Sequence, residues 1–437
     1  MKNLGFNIKT LLCFTKNLRL ADSPLLNWAI QNSEEIMFVI SWRDLVRRAG
    51  PFRKQFALEC LSDLQASLKL RNQELIITCL PLQEFIGHEI KNSIQQIVID
   101  EDVNHEESVQ FENIKTICFA ANIKLYSKID STLTDFQKTV PIFENKSASK
   151  NFTFTEFRKE IEKTLSVPAP VEMVDIFPRP MTCTQADYLT TVPALKQSLS
   201  DPKVLFKGGE SAALKHLNAY FSKTENPINY KNTRNGMLRF EDSTKFSPWL
   251  SLGGISARTI YAELKSFENK YGSNESTYWI LFELLWRDYF KYNSYLNKEK
   301  LFLRSGAKNI KTKILPHELE MDLFTKWKDG ATGVDFIDAN MLELKKTGWM
   351  SNRGRQNVAS YLVKIQNVDW RLGASYFEEM LIDYDCASNW GNWSYLAGVG
   401  TDPRDRVFNV ERQAETYDPE KLYVKKWLHK IAIRGTT

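Results

Sequence analysis

Between residues 10 and 121 the chain alternates short apolar runs with stretches whose apolar residues recur at helical spacing. Thr10–Phe14 (TLLCF), Ile36–Ile40 (IMFVI), Leu75–Cys79 (LIITC) and Gln96–Ile99 (QIVI) read as strands covered on both faces. Ser23–Asn32, Arg53–Leu70, Pro81–Asn92 and Glu106–Ala121 follow them as helices. Strand and helix in repeated alternation predict a doubly wound parallel sheet, an α/β domain over residues 1–127. No G-x-G-x-x-G follows the first strand, so a dinucleotide site of the usual kind is not supported there.

From about Lys128 to Asp201 this rhythm stops. Pro141, Pro168, Pro170, Pro178, Pro180 and Pro193 stand among Ser, Thr and Lys. The pattern predicts a long linker over 128–202, wrapping the surface and broken by one helix at Phe154–Lys163. Beyond it the spacing is helical: Glu210–Phe221, Ile255–Lys270, Ser276–Tyr295, Phe336–Lys345, Arg355–Ile365 and Ala374–Leu381. The second domain, 203–437, is therefore expected to be all α.

The length of 437 residues exceeds what one hydrophobic core usually supports, which agrees with two domains. Hydrophobic residues at 43% and charged residues at 25% mark a globular chain. No apolar run approaches the ~20 residues of a membrane span. The opening MKNLGFNIKTLLCF reads as a first strand rather than a signal peptide, and a cytoplasmic location is expected. Six scattered Cys with no C-x-x-C point to a reducing compartment and not to zinc. The net charge of +5 permits a nucleic-acid partner without requiring one. Lys425, Lys426, Lys430 and Arg434 read as a solvated helix face. Of eleven Trp, all but Trp28 and Trp42 lie beyond residue 240, so the aromatic load belongs to the second half.

Chemistry concentrates in Thr347–Leu362 (TGWMSNRGRQNVASYL) and Leu381–Arg404 (LIDYDCASNWGNWSYLAGVGTDPR). They gather Trp349, Asn352, Arg355, Asp383, Asp385, Asn389 and Trp393, a mixture suited to a large planar cofactor with a phosphate tail. Arg355 and Asp383 are candidates for a buried ion pair, an arrangement that serves a site more readily than stability. Ser243, Thr244, Lys245, Phe246 and Ser247 precede a helix-compatible segment, where hydroxyls and free N–H groups suit a phosphate; an ordinary helix cap reads the same way. Glu283 and Arg287 are spaced to pair along one helix, and Trp286 between them offers a stacking plane for a flipped base. A salt bridge beside a core Trp is the plain alternative. No H-x-x-x-H, Cys/His cluster, G-x-S-x-G or P-loop is present.

These motifs resemble the cryptochrome–photolyase family, specifically its DASH branch, over nearly the whole chain. NLRLADSPLL, GPFRKQFALECLSDL, FTEFRKEIEK, KGGES, YKNTRNGML, KFSPWLSLG, FELLWRDYF, DANMLELKKTGWMSNRGRQ and DYDCASNWGNWSY carry the resemblance. It implies an α/β antenna domain and a helical domain holding FAD in a U shape. Tyr230 and Ser243–Ser247 would hold the FAD phosphates and their surroundings. Glu283, Arg287, Trp349, Asn352, Arg355, Asp383 and Asp385 would line the rest of the cofactor, with Asn389 beside flavin N5. Glu283, Trp286, Asn352, Gln356 and Tyr395 would form the pocket for a cyclobutane pyrimidine dimer. Tyr395 and Gln356 follow the DASH pattern, which implies a preference for single-stranded DNA, with duplex DNA or RNA bound weakly at most. Trp393 and Trp370 match the inner two members of the family's electron-transfer chain. At the outermost position stands Ile314 or His317. EDVNHEESVQ resembles the DASH folate site, which implies a methenyltetrahydrofolate antenna with Glu107 at its pterin.

The expected function is blue-light-driven, FAD-dependent dimer repair in single-stranded DNA by a monomeric enzyme, a DNA photolyase. The alternative is a blue-light photoreceptor with little repair. Intact Glu283, Trp286 and Asn389 and the lack of a long C-terminal extension favour repair.

Overall fold

A computed structural model describes residues 8–90, 94–147, 152–181, 205–401 and 407–432. Five parallel strands form its sheet: β1 (Lys9–Phe14), β2 (Glu35–Ser41), β3 (Leu75–Thr78), β4 (Gln96–Asp100) and β5 (Lys124–Lys128), in the order β3-β2-β1-β4-β5. A two-residue β6 (Arg179–Pro180) lies beside β2. Leu12 sits opposite Phe38 on one side and Val98 on the other. These three enter the large core, whereas Leu11, Cys13, Met37, Val39 and Ile97 enter a second core on the opposite face. Both faces are thus covered, which is why the strands read as unbroken apolar runs.

The strand β5, KLYSK, was not legible. It is an edge strand, exposed or half-buried along its length, and carries no apolar run. The helices fall where periodicity predicts, with ends shifted by a few residues: Pro24–Gln31, Pro51–Lys69, Leu82–Glu89 and His105–Ala120. The Pro81–Asn92 reading reaches residues outside those described.

The segment after β5 differs from the surface linker expected of it. Ile129, Leu133, Phe136, Val140, Phe143, Phe152, Phe154, Phe157 and Ile161 are all buried in the main core. Its described residues hold three helices, Phe136–Thr139, Pro141–Ser147 and Phe154–Lys163. The last matches its expected bounds because Thr153 and Glu156 form a reciprocal capping box. Irregularly spaced aromatics around prolines gave no period to read. Pro193 and Cys183 lie outside the described residues.

Past residue 205 the described chain is helical. The central helix, Glu275–Asn297, packs against Glu225–Thr233, Phe154–Lys163 and Cys386–Ala397. Other helices run over Glu210–Ser222, Ser247–Leu252, Ala257–Tyr271, His317–Asp329, Asp335–Thr347, Asn352–Ser360, Trp370–Met380, Val410–Tyr417 and Leu422–Ala432. Several of these lay unread in the sequence: Glu225–Thr233 (ENPINYKNT) is rich in Asn and holds a Pro, and Cys386–Ala397 is masked by its polar residues. In the last helix Lys425 and Lys426 face solvent while Tyr423, Val424 and Trp427 are buried, so the solvated-face reading holds for those two lysines.

One core joins the two halves. Leu12, Phe14 and Phe56 share it with Trp249, Leu285 and Tyr292. Beside it runs a buried ionic clamp. Arg258 binds Asp22 at 3.0 Å and Asp130 at 2.8 Å, and Arg19 binds Asp130 at 3.0 Å. All four side chains are buried, and each charge has an opposite partner, as burial requires.

Candidate functional site

The site forms around the Cys386–Ala397 helix, which packs against both the central helix and Asn352–Ser360. Arg355 and Asp383 do pair: one guanidinium nitrogen lies 3.0 and 2.9 Å from the two carboxylate oxygens. Arg355 Nε donates to the Met350 carbonyl at 2.9 Å, which fixes the fork. Ser247 Oγ donates to Asp383 at 2.6 Å. The ordinary-cap reading of the Ser243–Ser247 run does not describe it. Phe246 occupies the cap position of Ser247–Leu252 without a side-chain cap bond, and the hydroxyl of Ser247 turns to Asp383 instead.

Lys245 is buried and adopts a left-handed backbone, φ 54°. Its ammonium lies 4.0 Å from the Trp349 ring centroid and donates to Ser243 Oγ at 2.9 Å. Burial pushes its pKa down to about 8, against the pull of Glu343. Burial in turn pushes Glu343 up to about 7; Tyr423 donates to it at 2.6 Å. Tyr230 is buried beside Thr244, and burial together with the Glu283 charge holds its phenol well above the usual value.

The Glu283–Arg287 pair expected along the helix does not form. Glu283 takes Arg234 Nη1 at 2.5 Å, because the Glu225–Thr233 helix and the turn after it cover that side. Arg287 turns the other way and donates to the carbonyls of Ser131 and Leu250, the latter at 3.3 Å. Burial raises the Glu283 pKa, and the Arg234 charge opposes it. Arg234 also covers the Trp279 ring at 4.1 Å.

Asp385 caps the Cys386–Ala397 helix, accepting from Ser388 N at 2.8 Å and Ser388 Oγ at 2.6 Å. Its other oxygen pairs with buried Lys291 at 3.3 Å. Burial would raise this carboxyl, but the Lys291 and Arg287 charges and the cap bonds hold it well below the usual range. Lys291, Arg234, Trp279 and Phe154 were not singled out from sequence. A signal for Lys291 was present: with Glu283 and Arg287 it forms an i, i+4, i+8 stripe on one helix.

Trp286 stacks on Phe154 with centroids 3.7 Å apart and planes 9° apart, and meets Tyr395 edge-on at 6.2 Å. Asn352 is exposed at the start of its helix, and one turn on Gln356 has a buried Oε1 without a hydrogen-bond partner. Asn389 Nδ2 donates to the Ala374 carbonyl at 3.0 Å, which orients its oxygen away from that carbonyl. Trp393 packs across Gly373, where an added Cβ would stand 2.2 Å from Cη2. Gly373 lies one turn from Trp370, which is buried. Ile314 is exposed and His317 begins the His317–Asp329 helix, so neither supplies a buried outer aromatic.

In the α/β half, Glu107 accepts from Lys16 at 2.7 Å, and Lys16 also reaches Asp102 at 3.1 Å. Glu107 lines two adjoining cavities. One, about 610 Å³, lies at the C-terminal ends of β1, β2 and β4, the crevice where such sheets place ligands. The other, about 990 Å³, lies between the halves and is lined by Arg48, Arg53, Glu378, Tyr384 and Trp390 among others. Arg48, with a left-handed φ of 56°, spans its rim. Its guanidinium donates to Glu106 at 2.7 and 3.1 Å and to Glu378 at 2.6 Å. Among the described residues no cluster of ligands suits a metal ion, and no helix is long and apolar enough to cross a membrane.

A buried cation at Lys245, half-buried ones at Arg287 and Arg355, hydroxyls at Ser243 and Thr244, and the orphaned Gln356 oxygen fit a group with phosphates at one end and a polar ring edge at the other. Sheet, helical half and this polar seam define a flavoprotein of the photolyase class. Residues 10–175 match the DNA photolyase family and residues 279–434 the FAD binding domain of DNA photolyase. The chain is 38% identical to cryptochrome DASH of Danio rerio, over 98% of this chain and 84% of that one. It is 37% identical to cryptochrome DASH of Xenopus laevis, over 97% and 83%. A cryptochrome of Synechocystis sp. PCC6803 superposes with a TM-score of 0.85 at 34% identity, over 99% of this chain and 90% of that one. An archaeal photolyase of Sulfolobus tokodaii, solved with two FAD molecules, superposes with a TM-score of 0.80 at 27% identity, over 97% and 91%. The chain belongs to the cryptochrome–photolyase family, in its DASH branch, and FAD is its cofactor.

Proposed function

We propose that this protein repairs cyclobutane pyrimidine dimers in single-stranded DNA under blue light. The observation that carries the reading is partly buried Glu283 on Arg234, one helical turn from Trp286, which stands edge-on to Tyr395; the unpartnered oxygen of Gln356 adds to it. Bound FAD, when reduced and lit, supplies the electron that opens the cyclobutane ring. Arg355 and Asp383 would hold it with Arg287, Trp349, Asn352 and Asp385, its phosphates lying by Tyr230 and the Ser243–Ser247 turn. Asn389, its amide nitrogen engaged by Ala374, would offer its oxygen to N5 without adding a negative charge. Glu283, its pKa raised, would hydrogen-bond the dimer's carbonyl or imino edge and steady the charge that develops there. Trp286 and Tyr395 would flank the flipped dimer, with Gln356 and Asn352 at its wall. A single strand spares the few kcal/mol of unpairing that a duplex demands. Glu107, at the junction of the two cavities, would contact a reduced folate antenna.

The test gives photoreduced protein a dimer-containing oligonucleotide, single-stranded and then duplex, in light and in darkness. Light-dependent loss of dimers in the single strand alone is expected. Glu283→Ala should abolish most of that loss while FAD stays bound. No loss in either strand, with FAD bound and photoactive, would turn the reading to a photoreceptor.

A further inference from the structure

We propose that Trp390 is the outer electron donor by which this chain recharges its flavin, and that the Glu378 carboxylate takes the indole proton. The inference rests on the flavin reading above. Trp370 meets Trp390 edge-on at 5.7 Å, and both rings are buried. Trp390 Nε1 donates to Glu378 Oε2 at 3.2 Å and to the Tyr384 hydroxyl at 3.3 Å. Two other buried tryptophans donate to backbone carbonyls instead. Trp370 Nε1 donates to the Arg304 carbonyl at 3.0 Å, and Trp327 Nε1 to the Val358 carbonyl at 2.9 Å. A carboxylate is a far stronger base than a backbone carbonyl, and the oxygen that faces Trp390 is not the one Arg48 binds, so it can take the proton of an acidic indole radical cation in passing.

The route is a series of one-electron steps. Bound FAD, when oxidised and lit, would supply the oxidant, and Trp393 would give up the first electron. Trp370 restores Trp393, and Trp390 restores Trp370. Trp390 is then a radical cation in a buried setting, where an unpaired charge is costly. Its N–H proton passes to Glu378, which is within the reach that general bases use. The neutral indolyl radical that remains cannot easily take the electron back without that proton. Trp390, Tyr384 and Glu378 all line the cavity between the halves, so a soluble thiol has access there. The thiol returns one electron and one proton to the indolyl radical, leaving a thiyl radical, and the Glu378 proton passes to solvent.

A competing path leads from Trp393 to Trp327 at 6.1 Å and on to Tyr376 at 5.9 Å. The two are separated by measuring flavin bleaching under blue light with dithiothreitol on the FAD-loaded chain, and by transient absorption of the indolyl radicals. Trp390→Phe should keep its FAD, slow bleaching by an order of magnitude and lose the long-lived neutral indolyl signal. Trp390→Tyr, still oxidisable, should restore bleaching in part. Glu378→Gln should keep the first fast electron steps but leave the protonated radical, which recombines sooner. Wild-type behaviour of Trp390→Phe, or loss of bleaching in Trp327→Phe alone, overturns the proposal while leaving the flavin reading intact. A wild-type chain that binds no FAD overturns both.

Discussion

Phe154 lies flat against Trp286, their centroids 3.7 Å apart. A residue from the segment after β5 therefore covers one face of the proposed stacking plane. Aromatic pairs of this kind contribute about 0.5–1.5 kcal/mol beyond area burial. Phe154→Ala should weaken binding of a single-stranded dimer oligonucleotide by about two- to tenfold. FAD content should not change. Fluorescence anisotropy at fixed salt reads both arms, and unchanged affinity would remove Phe154 from the pocket.

Lys291 and Asp385 form a buried pair whose members depend on each other. Lys291→Met removes the direct ion-pair partner of buried Asp385 and leaves it the Ser388 cap bonds and the Arg287 charge; it should destabilise the chain by about 3 kcal/mol. Lys291→Arg should recover much of this. Urea unfolding of the three proteins measures it.

Arg355→Ala or Asp383→Ala breaks the fork that Met350 and Ser247 hold in place. Either variant should be purified with little FAD, read as the flavin-to-protein absorbance ratio. Full occupancy in both would move the cofactor away from this pair.

Asp100 gives a pH dependence with a definite sign. Burial, reinforced by the Asp130 charge, raises its pKa to about 7. A carboxyl raised in the folded state binds more protons there than in the unfolded chain. Its contribution is therefore most favourable at low pH and declines as pH rises from about 4 through about 7. Asp100→Asn removes the titration. Its melting temperature should gain on wild type progressively across that window, and a constant difference would show that Asp100 does not titrate there.

How much of this was legible depends on what each residue faces. Strands β1–β4 are covered on both faces and announced themselves as apolar runs; β5, with Lys124 and Lys128 at a sheet edge, did not. The Arg355–Asp383 pair was legible because both lie in dense polar motifs. Glu283 and Arg287 stood out as a pair at helical spacing, but their partners came from Arg234 and the Ser131 and Leu250 carbonyls, contacts that only tertiary packing creates. Phe136, Phe143 and Phe157 showed no period, so a core segment read as surface.

Arg48 bridges Glu106 of one half and Glu378 of the other across the rim of the 990 Å³ cavity. One guanidinium thus ties the two halves together along that rim. Arg48 and Glu106 are both exposed, so rising ionic strength screens this tie while leaving the shared apolar core of the two halves untouched.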